Sequence, residues 1–192
     1  MRGLHAQGGL LGAQVCVLDA SRAGAAPLAD LAVGVRGWLD PAPVSTSTAF
    51  NLLDISKFGL ALAVLRLVDQ GRLDLQSRLA PEHWPGLAAG GGQPGPTVAD
   101  VLGHCAGLWA LLPPGITEID HLLDFEASLR EWQGVPPLEG PGVAQRYHYA
   151  SFGYLCAALC RGAGREVPEL WAETVAAAGG AALPAKPVTS MG

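Results

Sequence analysis

The stretch FNLLDISKFGLALAVLRLVDQG, residues 50–71, carries the clearest helical pattern of the chain and a charged pair at its beginning. From Leu60 onward its apolar residues recur at intervals of three and four, which is the period of an α-helix with one buried face. Gly71 follows the last of them and predicts a left-handed cap at the helix end. Asp54 and Lys57 lie one helical turn apart at the start of the segment. The stretch therefore predicts a buried helix with a carboxylate and an ammonium group at its beginning.

The composition is that of a globular protein. The 192 residues are 49% hydrophobic and 15% charged, with 26 glycines and 15 prolines. This is enough for one domain with a substantial core, or for part of a larger domain. The net charge of −5, without a basic run, argues against nucleic acid as a partner. No apolar run reaches the roughly 20 residues that a bilayer requires, so we expect no membrane span.

The chain shows neither a secretory signal nor a metal-binding pattern. Its first residues lack a clean sequence of basic start, long apolar run and small-residue cleavage site, which favours an intracellular location. The four cysteines fit no zinc-ligand spacing and the five histidines are scattered, so we expect no metal and no cofactor. Cys156 and Cys160 stand at i and i+4 of a predicted helix and are interpreted as small core residues.

Two strands followed by helices are predicted along the chain. Residues 12–20 and 29–39 are interpreted as the two strands of a hairpin. Thr97 and Asp100 form a capping-box pattern that predicts a short helix. Three further helices are predicted, at residues 117–132, 151–164 and 167–180. Two strands alone make a marginal sheet with exposed edges, which predicts either pairing with other strands or self-association.

Three segments of the chain stand in an informative order. FNLLDISKFG places an aromatic residue before D-x-x-K, and the second segment is LDLQSRLAPEHWP with TVADVLGHCAGL. The third, YHYASFGYLCAAL, contains Tyr149 and Ser151 in a Y-x-S pattern. In this order they resemble the serine β-lactamase, penicillin-binding protein and related esterase family, whose segments read S-x-x-K, L-x-H-x-S-G-L and Y-x-N/S. The third segment is especially similar to a plant-type branch.

The resemblance implies the fold. It runs from about Val15 to Trp171 and implies an α+β, serine β-lactamase-like (transpeptidase-like) fold that is incomplete. The N-terminal β-hairpin and the helical region are expected, and the C-terminal strands are expected to be missing. We assign residues 12–180 to this partial β-lactamase-related domain and residues 181–192 to a tail. On this interpretation the chain is a fragment of a longer product or a degenerate remnant.

The resemblance also assigns catalytic positions to Asp54, Lys57 and Tyr149. In S-x-x-K the lysine can take the proton of the serine hydroxyl if burial lowers its pKa, and the tyrosine supplies a second proton relay. Here Asp54 occupies the serine position, three residues before Lys57. Ser56 cannot take its place, because adjacent residues of a helix point about 100° apart.

Asp54 admits two interpretations. As a nucleophile it would form an anhydride with an acyl group, which is a poor storage intermediate. As a stabilising cap at the helix N-terminus it would gain ~0.3–1 kcal/mol from the helix dipole and a few tenths from Lys57. When a site loses its activity, a strained nucleophile is commonly replaced by a residue that increases stability. The second interpretation is therefore preferred.

The family's third motif, K-[ST]-G or H-x-G, gives a second reason to expect impaired catalysis. It lies on a strand after the helices, and no such motif follows Lys186. That strand supplies an oxyanion-hole N–H, and loss of one such donor costs ~10²–10³ in rate. The sequence therefore predicts a family member without acyl-transfer activity. Two alternatives stay open: an active ester or amide hydrolase if the true product is longer, and a non-catalytic ligand-binding or regulatory module.

The remaining candidate residues have weaker assignments. Ser151 is a substrate-binding residue or the N-cap of the following helix. Trp109 is expected at the wall of a cleft that takes a small-molecule acyl ligand. Tyr147 is interpreted as a core aromatic residue, His104 as a structural hydrogen-bonding residue, and His148 as exposed.

Overall fold

The structure is a computed structural model that describes residues 2–177, apart from residues 20, 23, 90, 110, 111 and 114. The expected tail, residues 181–192, lies outside the described residues. The chain divides into two compact units, one ending at Leu52 and the other beginning at Leu53. None of the described helices combines the length and the apolar character needed to cross a membrane.

The first unit is built on an antiparallel hairpin. Strand β1 (Gly12–Val17) pairs with β2 (Ala29–Gly34), in a register that sets Gly12 opposite Gly34. Both strands are shorter than predicted. β2 ends at Gly34, where φ is +83° and a Cβ atom would lie 2.1 Å from the Leu11 carbonyl oxygen. A short helix that the sequence did not predict, α1 (Arg2–Ala6), precedes the hairpin.

The second unit is helical. A 3₁₀ turn, Leu53–Ile55, leads into the longest helix, α2 (Ser56–Asp69). The other elements in chain order are α3 (Gly86–Ala89), α4 (Val98–Leu102), a 3₁₀ turn (Ile119–Leu123), α5 (Phe125–Gln133), α6 (Ser151–Gly162) and α7 (Val167–Ala177). Within the described part of the chain, β1 and β2 are the only two strands. The α+β class and the incomplete sheet are thus confirmed.

Helix α2 confirms the helix predicted within residues 50–71. It begins at Ser56 and ends as the spacing indicated: Gly71 has a φ of +67°, and the Arg72 N–H donates to the Leu67 carbonyl. One face, which includes Ala63, Val64 and Leu67, is buried against the core. The helix therefore has a fixed position, and its first turn carries the candidate site.

The capping signals explain where α4 and α5 begin. The Thr97 hydroxyl accepts the Asp100 N–H, and the Asp100 carboxylate accepts the Thr97 N–H, so the capping box is confirmed. The helix predicted over residues 117–132 is divided instead. Asp124 has extended backbone angles and its carboxylate accepts the Ala127 N–H, so α5 begins only after it.

Helix α6 forms the centre of the second unit. Nearly all of its residues are buried, including Cys156 and Cys160, which confirms both cysteines as core residues. α2 packs against α6 and α7. The contact with α7 is close because Gly59 faces the ring of Trp171, and a Cβ atom there would lie 1.9 Å from the indole. These contacts fix the start of α2 relative to the start of α6.

Candidate functional site

The 3₁₀ turn before α2 and the first turn of that helix bring Asp54 and Lys57 together. The Lys57 Nζ atom lies 2.6 Å from Oδ1 of Asp54 and donates a second hydrogen bond to the Tyr149 carbonyl oxygen at 2.8 Å. The Lys57 side chain is only 14% exposed, whereas that of Asp54 is 51% exposed. The spacing of three residues thus places the two groups in contact, as the sequence indicated.

Asp54 does not cap α2. It lies in the 3₁₀ turn before the helix, and the N-cap residue is Ile55, which has no side-chain capping bond. The neighbouring hydroxyl of Ser56 donates to the Leu53 carbonyl oxygen at 2.6 Å. The carboxylate of Asp54 is therefore committed to Lys57, and Ser56 is held by the backbone of its own turn.

The charge states of the pair follow from these contacts. Burial lowers the pKa of Lys57, but hydrogen bonds to Asp54 and Tyr147 outweigh burial and raise this pKa above its ordinary value. Hydrogen bonds from Lys57 and then Tyr147 lower the pKa of Asp54. Both shifts favour the charged forms of the pair, the Lys57 ammonium and the Asp54 carboxylate.

A second tyrosine, Tyr147, also lies beside the charged pair. Its side-chain hydrogen bonding affects the pKa of both Asp54 and Lys57, and the Lys57 Nζ atom lies 4.8 Å from its ring centroid. Tyr149, which the sequence favoured, contributes its backbone carbonyl, and its ring centroid lies 5.4 Å from Nζ. The Y-H-Y spacing was the available signal, because two residues apart in an extended segment share a side.

Ser151 and Trp109 occupy different positions from the charged pair. Ser151 is fully buried at the first position of α6, and its hydroxyl donates to the Leu108 carbonyl oxygen at 2.5 Å. Trp109 is partly exposed, with the Arg146 guanidinium 5.3 Å from its ring centroid. In the described residues, no hydrogen bond, ion pair or ring contact joins Trp109 to Lys57. Roles in ligand binding for both residues stay predictions.

His148 corrects the sequence interpretation. It was expected to be exposed, but it is only 1% exposed because the Leu108 segment covers it. Its Nε2 atom accepts the Leu108 N–H at 3.3 Å, and its own backbone N–H donates to Nδ1 of His104 at 3.1 Å. Burial lowers the pKa of His148 to about 4. His104 lies in a left-handed turn with a φ of +59°, where its side chain has the structural role that was expected.

The described residues offer no metal centre and no paired nucleophile and base. Nowhere in the described ranges do three or more His, Cys, Asp or Glu side chains lie where they could hold a metal ion. No serine or threonine hydroxyl of the described part hydrogen-bonds to Lys57. The arrangement can hold opposite charges beside two partly exposed tyrosine rings, which suits binding of a small polar or acyl group.

Comparisons with known proteins identify relatives. The family model described as Beta-lactamase matches residues 1–182. Esterase EstB of Burkholderia gladioli is 35% identical over 122 residues, which cover 56% of this chain and 31% of the esterase. The structure of a family VIII carboxylesterase superimposes on this chain with a TM-score of 0.74 at 26% sequence identity. The match covers 90% of this chain and 45% of the carboxylesterase chain.

A penicillin-binding protein homologue from Caulobacter crescentus gives a similar result. Its TM-score is 0.72 at 29% identity, with 88% of this chain and 43% of that chain covered. The chain thus spans less than half the length of these relatives. Neither named organism is a plant, so the comparisons do not support the predicted similarity to a plant-type branch.

Proposed function

Since the chain belongs to the beta-lactamase family, we propose that it is an esterase- and penicillin-binding-protein-like family member whose site does not form an acyl-enzyme. The observation that carries this proposal is that Lys57 donates two hydrogen bonds. Its Nζ atom donates to Asp54 at 2.6 Å and to the Tyr149 carbonyl oxygen at 2.8 Å. An ammonium group held in this way is not available as the general base that would activate a nucleophile.

Asp54 itself is a poor substitute for a serine nucleophile. Its pKa is lowered by Lys57 and Tyr147, so the carboxylate is stabilised as an ion and its attack on an acyl carbon is disfavoured. Attack would also yield an anhydride, which water hydrolyses readily. The only neighbouring hydroxyl on the helix, Ser56, is one position away and bonded to Leu53. These contacts support a stabilising role for Asp54.

Covalent labelling tests this proposal directly. The purified chain would be incubated with a fluorescent penicillin and with an alkyl fluorophosphonate, and its intact mass measured, with an active family esterase as the positive control. We expect no adduct on the chain under conditions that label the control completely. A stoichiometric adduct at Asp54, or ester turnover that is lost in Asp54→Asn, would overturn the proposal and establish an active hydrolase.

A second function, reversible binding of a small acyl ligand, is favoured by the exposed aromatic side chains. Tyr149 is 62% exposed, and Tyr147 and Trp109 are also open to solvent. Aromatic rings beside a fixed ammonium group can hold an apolar acyl chain and a carboxylate together. Fluorescence polarisation with the same penicillin probe would measure this binding.

Matched variants separate binding from chemistry. We expect Tyr149→Ala and Trp109→Ala to weaken probe binding, and Asp54→Ala to leave it unchanged. Binding that requires Asp54 and is followed by turnover would contradict the binding function and favour catalysis. Equal binding by all four proteins would show that the probe does not use these aromatic residues.

A further inference from the structure

Both backbone polar groups of Leu108 are held by side chains from one other segment. The Leu108 N–H donates to Nε2 of His148 at 3.3 Å, and its carbonyl oxygen accepts the hydroxyl of Ser151 at 2.5 Å. Leu108, His148 and Ser151 are all buried. Because water does not reach these groups, each lost hydrogen bond would leave a buried polar atom unpaired. Leu108 is thus fixed firmly against residues 148–151.

This contact connects the parts of the candidate site. Trp109 directly follows Leu108, and Tyr147 and Tyr149 flank His148 on either side. The same segment contacts Lys57 through the Tyr149 carbonyl. Moving Leu108 would therefore move Trp109 relative to the tyrosines. Neither ring nitrogen of His148 contacts Lys57 or Asp54, so the imidazole acts on the site only through the backbone it holds.

The hydrogen bond determines the tautomer of His148. Since Nε2 accepts a backbone N–H, it carries no proton, and the ring proton of the neutral imidazole is on Nδ1. Nδ1 is buried and makes no hydrogen bond of ordinary geometry in the described part of the chain, although an interaction with the Arg146 backbone favours a proton on this imidazole. Protonation of Nε2 would bring its N–H against the N–H of Leu108. Two donors cannot hydrogen-bond to each other, so the bond to Leu108 would break.

We propose that His148 is a positioning residue whose neutral imidazole holds the Leu108–Trp109 backbone beside the tyrosines of the site and releases it on protonation. The inference goes beyond the proposed function, because it concerns the shape of the site and stands whether or not the site acylates. A covalent-labelling result would leave it untouched.

The charged and titratable groups around the imidazole agree with this role. Burial is the largest effect on His148 and disfavours its protonation, as the neighbouring His104 also does. The Arg146 backbone and Glu139 favour its protonation. The net result is a lowered pKa of about 4. His104 lies 5.5 Å away, ring centroid to ring centroid, and its own pKa is lowered by burial and by Lys57. The two imidazoles are therefore neutral together near pH 7.

The first test is made on the unaltered chain. Long-range ¹⁵N–¹H NMR correlation reports the tautomer of each histidine, and hydrogen exchange reports protection of the Leu108 amide. We expect His148 to be the Nδ1–H tautomer at pH 7, to titrate well below the ordinary histidine range, and to lose Leu108 protection as it becomes protonated. An Nε2–H tautomer, an ordinary titration, or an unprotected Leu108 amide at pH 7 would overturn the proposal.

Two variants and a control separate positioning from general stability. His148→Gln keeps an acceptor oxygen but cannot titrate, so Leu108 should remain protected at acidic pH. His148→Ala should expose the Leu108 amide and shift the Trp109 indole resonance, while amides in the middle of α6 stay protected. Exposed His121, changed to Ala, is the control and should alter none of these signals. If His148→Ala does not fold, loss of acid sensitivity in His148→Gln decides the matter. Retained acid sensitivity there would refute the role.

Discussion

The Nζ atom of Lys57 lies 2.6 Å from the carboxylate of Asp54, so the two charged residues of the D-x-x-K sequence form an ion pair across one helical turn. In S-x-x-K the residue three positions before the lysine gives up a proton, whereas here it provides the opposite charge. On the proposed function, the carboxylate of Asp54 therefore makes Lys57 half of an ion pair rather than a base.

Removal of that partner should lower the pKa of Lys57. In Asp54→Ala the hydrogen bond that raises this pKa is gone, while burial, which lowers it, remains. The expected downward shift can be followed by NMR titration of ¹³C-labelled lysine. Asp69→Ala, at the other end of α2, is the matched control and should not change the pKa of Lys57. A titration of Lys57 unaltered in Asp54→Ala would mean that the ion pair does not form in solution.

Gly59→Ala should destabilise the helical unit. A Cβ atom at this position would lie 1.9 Å from the Trp171 ring, so α7 or the indole must move, at a cost of about 1–3 kcal/mol. Gly153→Ala is the control, because its nearest heavy atom, Leu60 Cδ1, is 3.7 Å away and alanine favours the helix. Urea unfolding should show Gly59→Ala less stable and Gly153→Ala equal to or more stable than the parent. Equal losses in both variants would contradict the close contact.

Stability should fall as the pH decreases from about 6.5 to about 4. His148 has a folded-state pKa of about 4 against an ordinary 6.5, so the unfolded chain takes up its proton first. The stabilisation is complete above pH 6.5 and is lost toward pH 4, by on the order of 2–3 kcal/mol. Carboxylates with a lowered pKa, such as that of Asp54, titrate in the folded chain below this range, so their contribution is lost at still lower pH.

His148→Gln isolates the histidine contribution, since it removes one titrating group and leaves the carboxylates in place. Denaturant unfolding at a series of pH values should give a smaller acid-induced loss for this variant than for the parent. Parallel curves for the two proteins would show that His148 does not contribute to the acid sensitivity.

The hairpin should promote self-association of the isolated chain. β1 and β2 have only each other as partners in the described part, and Val15, Val17 and Leu31 are exposed on them. Sedimentation velocity should detect assemblies that grow with concentration. Leu31→Lys should reduce them, because a charge on an edge strand opposes pairing, and Leu31→Val should not. A monodisperse, cooperatively unfolding monomer at every concentration would refute this prediction.

The features of the fold and of the site that could be predicted are those set by residues close together in the sequence. The Asp54–Lys57 contact, the Thr97 cap and the end of α2 at Gly71 each depend on residues within a few positions of one another. The division of the helix predicted over residues 117–132 could not be anticipated from periodicity, because Asp124 satisfies a backbone N–H and begins α5 late. The sequence favoured Tyr149 as the site tyrosine and did not predict that the Tyr147 ring also lies beside Lys57, because that contact joins residues 90 positions apart in the chain.

The family segments, the buried α2 helix and the place of Asp54 three residues before Lys57 could all be read from the sequence, because they follow from residue type and short spacing. The burial of His148 and the hydrogen bond from Ser151 to the Leu108 carbonyl oxygen arise only when the chain is folded. Leu108, the partner of both residues, lies 40 positions before His148 and 43 positions before Ser151 in the chain. A polar residue next to a helix is exposed unless a distant segment covers it, and that covering is a property of packing, which periodicity does not encode.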